Sequence, residues 1–128
     1  MNLPVLTIAS GNQRKVSEIS EMLNVLSLKV QKQPEYLNVE ETGNTYFENA
    51  FLKAKAAALE TKTWALADDS GLEVDILDGR PGIYSARYAK NNAEKIKKLI
   101  NELSDSPYRS ARFISSCTPV RAIRKFIN

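Results

Sequence analysis

Two adjacent carboxylates, Asp68 and Asp69, follow a short apolar run in the segment ALADDSGLEVD. Ionised groups beside a buried strand must be paired, metal-bound or turned to solvent, because an isolated charge is costly to bury. A second acidic pair, Glu40 and Glu41, precedes the turn-forming residues TGNT. Mg²⁺ takes one or two protein carboxylates together with water and substrate phosphates. One carboxylate from each pair is therefore a candidate Mg²⁺ ligand, and another is a candidate base for an attacking water. For Glu40 and Glu41 a solvated loop is the alternative.

The segment SGNQRK, from Ser10 to Lys15, lies where an apolar run gives way to a helical pattern. A helix N-terminus offers unpaired N–H groups and partial positive charge, so it attracts anions such as phosphate. Gly11 would let the backbone approach a ligand, Ser10 and Asn12 offer hydrogen bonds, and Lys15 adds a charge. The alternative is an ordinary turn capped by Asn12. The spacing is not that of a Walker loop.

The composition excludes several kinds of chemistry. The 128 residues include no histidine, which excludes Ser–His and Cys–His nucleophiles and histidine-bound zinc. Cys117 is the single cysteine, so neither an internal disulfide nor a thiolate metal cluster can form. The N-terminal apolar run is too short to span a bilayer, and we expect a soluble cytoplasmic protein with no membrane partner. The net charge of +3 arises from residues 109–128, which carry five basic and no acidic side chains.

The elements that must position these residues follow from hydrophobic periodicity. Helical spacing predicts helices over residues 16–26, 47–58 and 93–103. Apolar or alternating runs predict strands in LPVLTIAS, TWALA, LEVDIL and ARFISSC, and an extended or edge segment over residues 28–39. Strands that alternate with helices predict an α/β domain with a mixed central sheet flanked by helices. Ligands of such sheets bind beyond the carboxyl ends of strands, where both the Ser10–Lys15 segment and the paired aspartates are predicted to lie.

Four linked stretches resemble the inosine triphosphate pyrophosphatase (Ham1-type) family. They are ASGNQRKVSEI, EETGNTYFENAFLKAKAAA, ALADDSGLEVDILDGRPGIYSARYA and KIKKLINEL. They occur in the family's order and spacing over roughly residues 5–113. The resemblance implies the family's α/β fold and Mg²⁺-dependent hydrolysis of deaminated purine nucleotides such as ITP, dITP and XTP to the monophosphate and pyrophosphate. It also implies a homodimer.

The resemblance further implies roles for individual residues. Asp69 would be both metal-associated and the proton acceptor for the attacking water, and Glu41 would be a Mg²⁺ ligand. The substrate would be bound by Ser10, Gly11, Asn12, Lys15, Lys53 and Ser70. From the residues alone, Lys53 is an ordinary solvated lysine unless its helix packs beside the SGN turn.

The C-terminal part departs from the family. Members carry a Gly-Phe-Gly-Tyr-Asp segment, a lysine and a Ser-His-Arg motif that contact the base, and none of these is found here. We expect an ITPase-like domain over residues 1–118, lacking most of its second lobe, and a divergent basic tail over residues 119–128. A premature end, for example by frameshift, is one explanation of the tail, and a functional amphipathic basic helix is the other. Impaired hydrolysis with poor base discrimination is expected. The alternative is a non-catalytic remnant that binds nucleotides or nucleic acid, although the tail's single aromatic, Phe126, argues against nucleic acid.

Overall fold

The computed structural model describes residues 3–120. Its strands are β1 (Val5–Ile8), β2 (Lys29–Lys32), β3 (Trp64–Val74) and β4 (Ala111–Val120). Its α-helices are α1 (Gln13–Met22), α2 (Tyr46–Thr61) and α3 (Asn92–Leu103), and its 3₁₀ helices span Asp75–Leu77 and Gly82–Arg87. The predicted mixed α/β class is confirmed.

The order of the strands creates a switch point in the sheet. Within the described residues the sheet has four strands in the order β2-β1-β3-β4, and β1 runs parallel to both of its neighbours. The chain therefore leaves β1 toward one side to form β2 and returns across β1 to form β3. In open α/β sheets ligands bind at such a reversal, outside the carboxyl ends of the strands. The position beyond Ile8, the last residue of β1, is thus the expected place for a site.

Helix α2 packs closely on the sheet because its inner face is made of alanines. Ala50, Ala54 and Ala57 are fully buried and cluster with Ala65 and Ala67 of β3. Alanine is the best helix former, and its small side chain allows the helix axis to approach the strands. Helical spacing places Phe47 and Phe51 on this same face, but both are partly exposed in the structure. Their rings stack on each other with centroids 6.3 Å apart.

The start of α2 is capped by side chains of its first turn and of the turn that precedes it. Thr45 is the N-cap, and its side chain accepts a hydrogen bond from Glu48 N at 3.0 Å. The Glu48 carboxylate in turn accepts from Asn44 N at 2.6 Å. These bonds satisfy backbone donors that the first helical turn leaves without intrahelical partners. They fix the point at which the TGNT turn enters the helix.

A buried hydroxyl network holds β1 against its surroundings. Thr7 is fully buried, and its Oγ1 lies 2.6 Å from Thr63 Oγ1 and 3.3 Å from Thr61 Oγ1. Gln31 Nε2, from β2, donates to the same oxygen at 2.9 Å. Buried polar atoms are costly unless they are hydrogen-bonded, so this network favours one register of β1 relative to its neighbours.

The third strand differs from its prediction. TWALA and LEVDIL were expected as separate strands with the aspartates at the end of the first, whereas β3 runs without interruption from Trp64 to Val74. Asp68 and Asp69 therefore lie inside a strand, and as consecutive residues they project from opposite faces. The strand ends where Asp75–Leu77 form a 3₁₀ turn, so the last part of LEVDIL is not extended.

The described residues form two compact units. One comprises residues 3–68 and 117–120, and the other comprises residues 69–116. In the second unit Arg112 Nε contacts Glu73 Oε1 at 3.0 Å and Ser110 Oγ donates to Asp75 Oδ2 at 2.6 Å. The predicted boundary between a domain over residues 1–118 and a tail stays a prediction, because residues 121–128, and with them most of the proposed basic helix, lie outside the described part. Among the described residues, none of the helices is both long and apolar enough to cross a membrane.

Candidate functional site

The loop after β1 is held by both the neighbouring strand and the following helix. Ala9 N donates to Leu66 O at 2.8 Å, so the loop begins beside β3. Asn12 is the N-cap of α1, and its Oδ1 accepts from Arg14 N at 3.0 Å and from Lys15 N at 3.3 Å. Asn12 N donates to Ser10 Oγ at 3.1 Å. The capping role given as the simpler alternative is therefore correct, and the loop still presents an exposed helix N-terminus at the switch point.

Gly11 leaves open space in this loop. A Cβ built on Gly11 would meet, among the described residues, Gln33 Nε2 at 3.9 Å, which is an ordinary van der Waals distance. The position is exposed, and its backbone does not adopt a positive φ. The fold itself therefore does not require glycine at position 11. A ligand that approached the backbone of this loop closely would require it.

Lys15 turns back from the first turn of α1 toward β3. Its Nζ lies 3.0 Å from Asp68 Oδ1, and the two side chains are 31% and 20% exposed. Asp68 follows Leu66, the β3 partner of Ile8, by two residues, so it stands just past the end of β1. The parallel register thus brings the loop and the first aspartate together.

Lys53 reaches the same place from α2. Its Nζ donates to the main-chain oxygen of Asp68 at 2.6 Å and lies 3.4 Å from Glu41 Oε1. The Lys53 and Glu41 side chains are only 17% and 21% exposed. The structure therefore brings together Lys15, Lys53 and Glu41, three of the predicted site residues, around Asp68. We name these four residues the Asp68 cluster.

The loop that carries Glu41 is anchored to α2 by a buried side chain. Asn49 is fully buried, and its Oδ1 accepts a hydrogen bond from Gly43 N at 2.7 Å. Gly43 lies two residues after Glu41, so this bond limits how far the Glu41 carboxylate can move. Sequence reasoning assigned no role to Asn49, although its place three residues after the Tyr46 start of an N-capped helix is where an inward-facing polar side chain meets the preceding turn.

Asp69 and Ser70 continue along β3 and belong to the second compact unit. Asp69 is buried at 6% exposure, whereas Ser70 is exposed. Asp69 lies on the same face of β3 as Ala65 and Ala67, whereas Asp68 lies on the opposite face. The roles predicted for Asp69 in metal binding and proton transfer, and for Ser70 in substrate contact, remain predictions.

The acidic groups suit a metal that arrives with phosphate rather than one held by the protein alone. Within residues 3–120, groups of three or more acidic, cysteine or histidine residues placed to hold a metal ion are absent. Mg²⁺ is usually bound by one or two carboxylates, with water and substrate phosphates completing its octahedron. Glu41 supplies a hard oxygen donor on a restrained loop, and the open space at Gly11 lies in the loop beside the same strand end. These residues fit such a shared site.

The Asp68 carboxylate also affects the pKa of the Cys117 thiol. Partial desolvation, and then the negative charge of Asp68, raise the pKa of the Cys117 thiol above its ordinary value. The thiol therefore stays protonated at neutral pH, and a role as a nucleophile is not favoured.

The arginines of the GRPGIYSARY segment have structural partners within the second unit. Arg80 lies 3.5 Å from Glu102 Oε2, and the Arg87 guanidinium stands over the Tyr84 ring at 5.7 Å. Desolvation, and then the neighbouring Glu102 carboxylate, raise the pKa of Tyr88 to about 12. These contacts account for both arginines as structural residues of the segment.

The fold and the Asp68 cluster define an α/β protein with a charged site at the switch point of its sheet. The chain belongs to the Ham1 family, whose model matches residues 6–126. The family membership inferred from the four sequence stretches is thus confirmed.

Individual relatives agree with this assignment. The chain is 56% identical over 109 residues to a protein of Synechococcus sp. (strain CC9311) named dITP/XTP pyrophosphatase, covering 85% of this chain and 53% of that protein. A protein of the same name from Synechocystis sp. is 46% identical over 112 residues, covering 88% and 58%. The chain thus spans a little over half the length of these relatives.

Solved structures show the same fold. A Ham1 protein from Staphylococcus aureus superposes with a TM-score of 0.79 at 41% identity, covering 91% of this chain and 63% of that one. A HAM1 protein from Coxiella burnetii superposes with a TM-score of 0.84 at 39% identity, covering 94% and 64%.

Proposed function

We propose that this chain is a nucleoside triphosphate pyrophosphatase that hydrolyses deaminated purine nucleotides, such as dITP, XTP and ITP, to the monophosphate and pyrophosphate. Family membership and relatives named dITP/XTP pyrophosphatase support this proposal. The observation that carries it is the convergence of Lys15 and Lys53 on Asp68, with Glu41 paired to Lys53, beside an exposed helix N-terminus at the switch point. Two cations and an open helix end suit the binding of a polyphosphate.

In the proposed reaction a water oxygen bonds to the α-phosphorus while the bond from that phosphorus to the α–β bridging oxygen breaks. Pyrophosphate leaves with the bridging oxygen, and the Asp69 carboxylate takes up the proton of the attacking water. Lys15 and Lys53 hold the phosphate chain and offset its negative charge. Mg²⁺, with Glu41 and Asp69 as its protein ligands, would supply further charge neutralisation when bound. Catalysis of phosphoryl transfer is mainly such positioning and electrostatic stabilisation.

Substrate discrimination by this chain is proposed to be weak. The family segments that contact the base have no counterpart in the 128 residues, and the sequence contains no histidine. Without side chains that recognise the keto oxygen of the base, ITP and ATP would make nearly the same contacts, which are those of their phosphates. We therefore propose slow turnover, with ITP and ATP hydrolysed at similar rates. A homodimer and a cytoplasmic location are also part of the proposal.

The test is pyrophosphate release from dITP, ITP and ATP by the 128-residue chain, measured with Mg²⁺ and with EDTA. Replacing Asp69 by Asn keeps its size and removes the base, and we expect a rate loss of about 100-fold or more, the range for a general base. Glu18→Gln is the matched control, because Glu18 pairs with Arg14 on the outer surface of α1 and is well exposed.

Each outcome of this assay addresses a separate part of the proposal. An Asp69→Asn variant as fast as the unaltered chain would refute the catalytic assignment. Equal rates in Mg²⁺ and EDTA would refute the metal dependence. Fast hydrolysis with a strong preference for ITP over ATP would contradict the proposed lack of base discrimination.

A further inference from the structure

Lys15, the cation proposed to bind phosphate, already has a counter-ion in this structure. Its Nζ lies 3.0 Å from Asp68 Oδ1, and both side chains are largely withdrawn from water. The main-chain oxygen of the same aspartate accepts the 2.6 Å hydrogen bond from Lys53 Nζ. Asp68 therefore contacts both lysines of the proposed phosphate site, one through its side chain and one through its backbone.

These two contacts have different consequences for a phosphate group. The uncharged main-chain oxygen of Asp68 does not neutralise Lys53, whose counter-ion is Glu41 at 3.4 Å, whereas the Asp68 carboxylate neutralises Lys15 directly. A partly buried ion pair is screened less by water and salt than an exposed one, so an incoming anion must compete with it.

We propose that Asp68 is a positioning residue that acts as the internal counter-ion of Lys15. Without a ligand, Asp68 holds the Lys15 ammonium beside the loop. When a phosphate group binds, the ammonium pairs with the phosphate in place of the Asp68 carboxylate. The inference rests on the proposed function, since it requires Lys15 to bind phosphate. Its consequence is that the Asp68 carboxylate weakens polyphosphate binding, and that it does so through Lys15.

The experiment is a calorimetric titration with inorganic tripolyphosphate in metal-free buffer that contains EDTA. Binding is measured for the unaltered chain, Asp68→Asn, Lys15→Met and the double variant. Asn keeps the shape of Asp and its main-chain oxygen, so the contact to Lys53 is retained. We expect Asp68→Asn to bind tripolyphosphate about fivefold more tightly, the factor that corresponds to the upper end of measured exposed ion-pair energies. In the Lys15→Met background the same substitution should change affinity less than twofold.

Glu18→Gln is again the matched control, because it also removes one negative charge from the vicinity of α1 by breaking an ion pair, the one with Arg14 at 3.3 Å. Its affinity should differ from that of the unaltered chain by less than twofold. Unfolding temperatures of all variants are compared first, so that only folded proteins enter the comparison.

The remaining outcomes overturn the inference in distinguishable ways. Tighter binding by Asp68→Asn that persists without Lys15 would show simple repulsion between the carboxylate and phosphate. Unchanged or weaker binding by Asp68→Asn would show that Asp68 does not compete for Lys15. An absence of tripolyphosphate binding by the unaltered chain and by every variant would contradict the proposed function itself, and the inference with it.

Discussion

The buried threonines allow a matched test of how the hydroxyl network positions the site. Thr7 and Thr118 are both buried, at 0% and 6% exposure. Thr7 Oγ1 has close polar neighbours in Thr61, Thr63 and Gln31. Thr118 Oγ1, in contrast, has no hydrogen-bond partner within the described part of the chain. Replacing each threonine by valine preserves its shape and removes the hydroxyl.

Thr7→Val should lower the free energy of unfolding, whereas Thr118→Val should leave it unchanged or raise it. Thr7→Val removes the oxygen that accepts from the half-buried Gln31 Nε2, whereas Thr63 keeps its contacts with Thr61 and with the main-chain oxygen of Trp64. Leaving one such donor without a partner costs about 1–3 kcal/mol. Thr118→Val removes a hydroxyl that gains nothing in the folded state, and replaces it by a methyl group. We expect this change to be neutral or to stabilise the protein by up to about 1 kcal/mol. The difference between the variants is then about 2–3 kcal/mol in the free energy of unfolding, taking the middle of the first range.

Urea unfolding at equilibrium, followed by circular dichroism and by Trp64 fluorescence, measures both free energies. With equal m-values, the unfolding midpoint of Thr7→Val should fall and that of Thr118→Val should stay or rise. A loss of stability in Thr118→Val equal to that in Thr7→Val would show that the cost follows from the valine side chain and not from lost hydrogen bonds.

The other predictions concern the loop and the thiol. Gly11→Ala should leave the unfolding temperature unchanged, because the added Cβ has space, and should weaken tripolyphosphate binding measured by calorimetry; a large loss of stability would show that the fold itself needs glycine there. Cys117 should react with iodoacetamide with a pH midpoint above that of an unperturbed cysteine, about 8.5, because the raised pKa leaves less thiolate at any given pH. Asp68→Asn should lower that midpoint by removing a negative charge, and a midpoint unaffected by the substitution would contradict the proximity of the two groups.

Features with local causes could be predicted from the sequence. Asn12 and Thr45 are short polar side chains placed directly before helical patterns, and both cap helices. The alanine face of α2 follows from its three- and four-residue spacing, and it is buried in the structure. Such signals depend on neighbours within one helical turn, so the sequence is sufficient to interpret them.

Features with tertiary causes could not be predicted in the same way. The first of the two predicted strands was expected to end at the aspartates, yet the chain remains extended through Ser70 and Gly71 as part of β3. The regular spacing that predicted α3 correctly is that of an amphipathic helix, and Ile96 and Ile100 on its apolar face are 60% and 54% exposed in the structure. Periodicity identifies an amphipathic helix but not whether another element covers it.

The candidate site could be predicted only in part, because it has both local and tertiary causes. The residue types indicated Lys15 and Glu41, and the parallel register of β1 and β3 explains why Lys15, in the turn after β1, lies close to Asp68. The convergence of both lysines on Asp68 depends on how α1 and α2 pack on the sheet, which no local pattern encodes. Asp68 was recognised only as half of an acidic pair, and its contacts with two lysines emerge from the fold.

The most direct test of the proposed site is a crystal structure of this chain with Mg²⁺ and an α,β-imido analogue of dITP, which resists cleavage at the proposed bond. We predict that the phosphates contact the loop of residues 10–15 and the Lys53 ammonium, with the metal between them and the carboxylates of Glu41 and Asp69. A triphosphate bound elsewhere, with Lys15 still paired to Asp68 and the loop unoccupied, would contradict it.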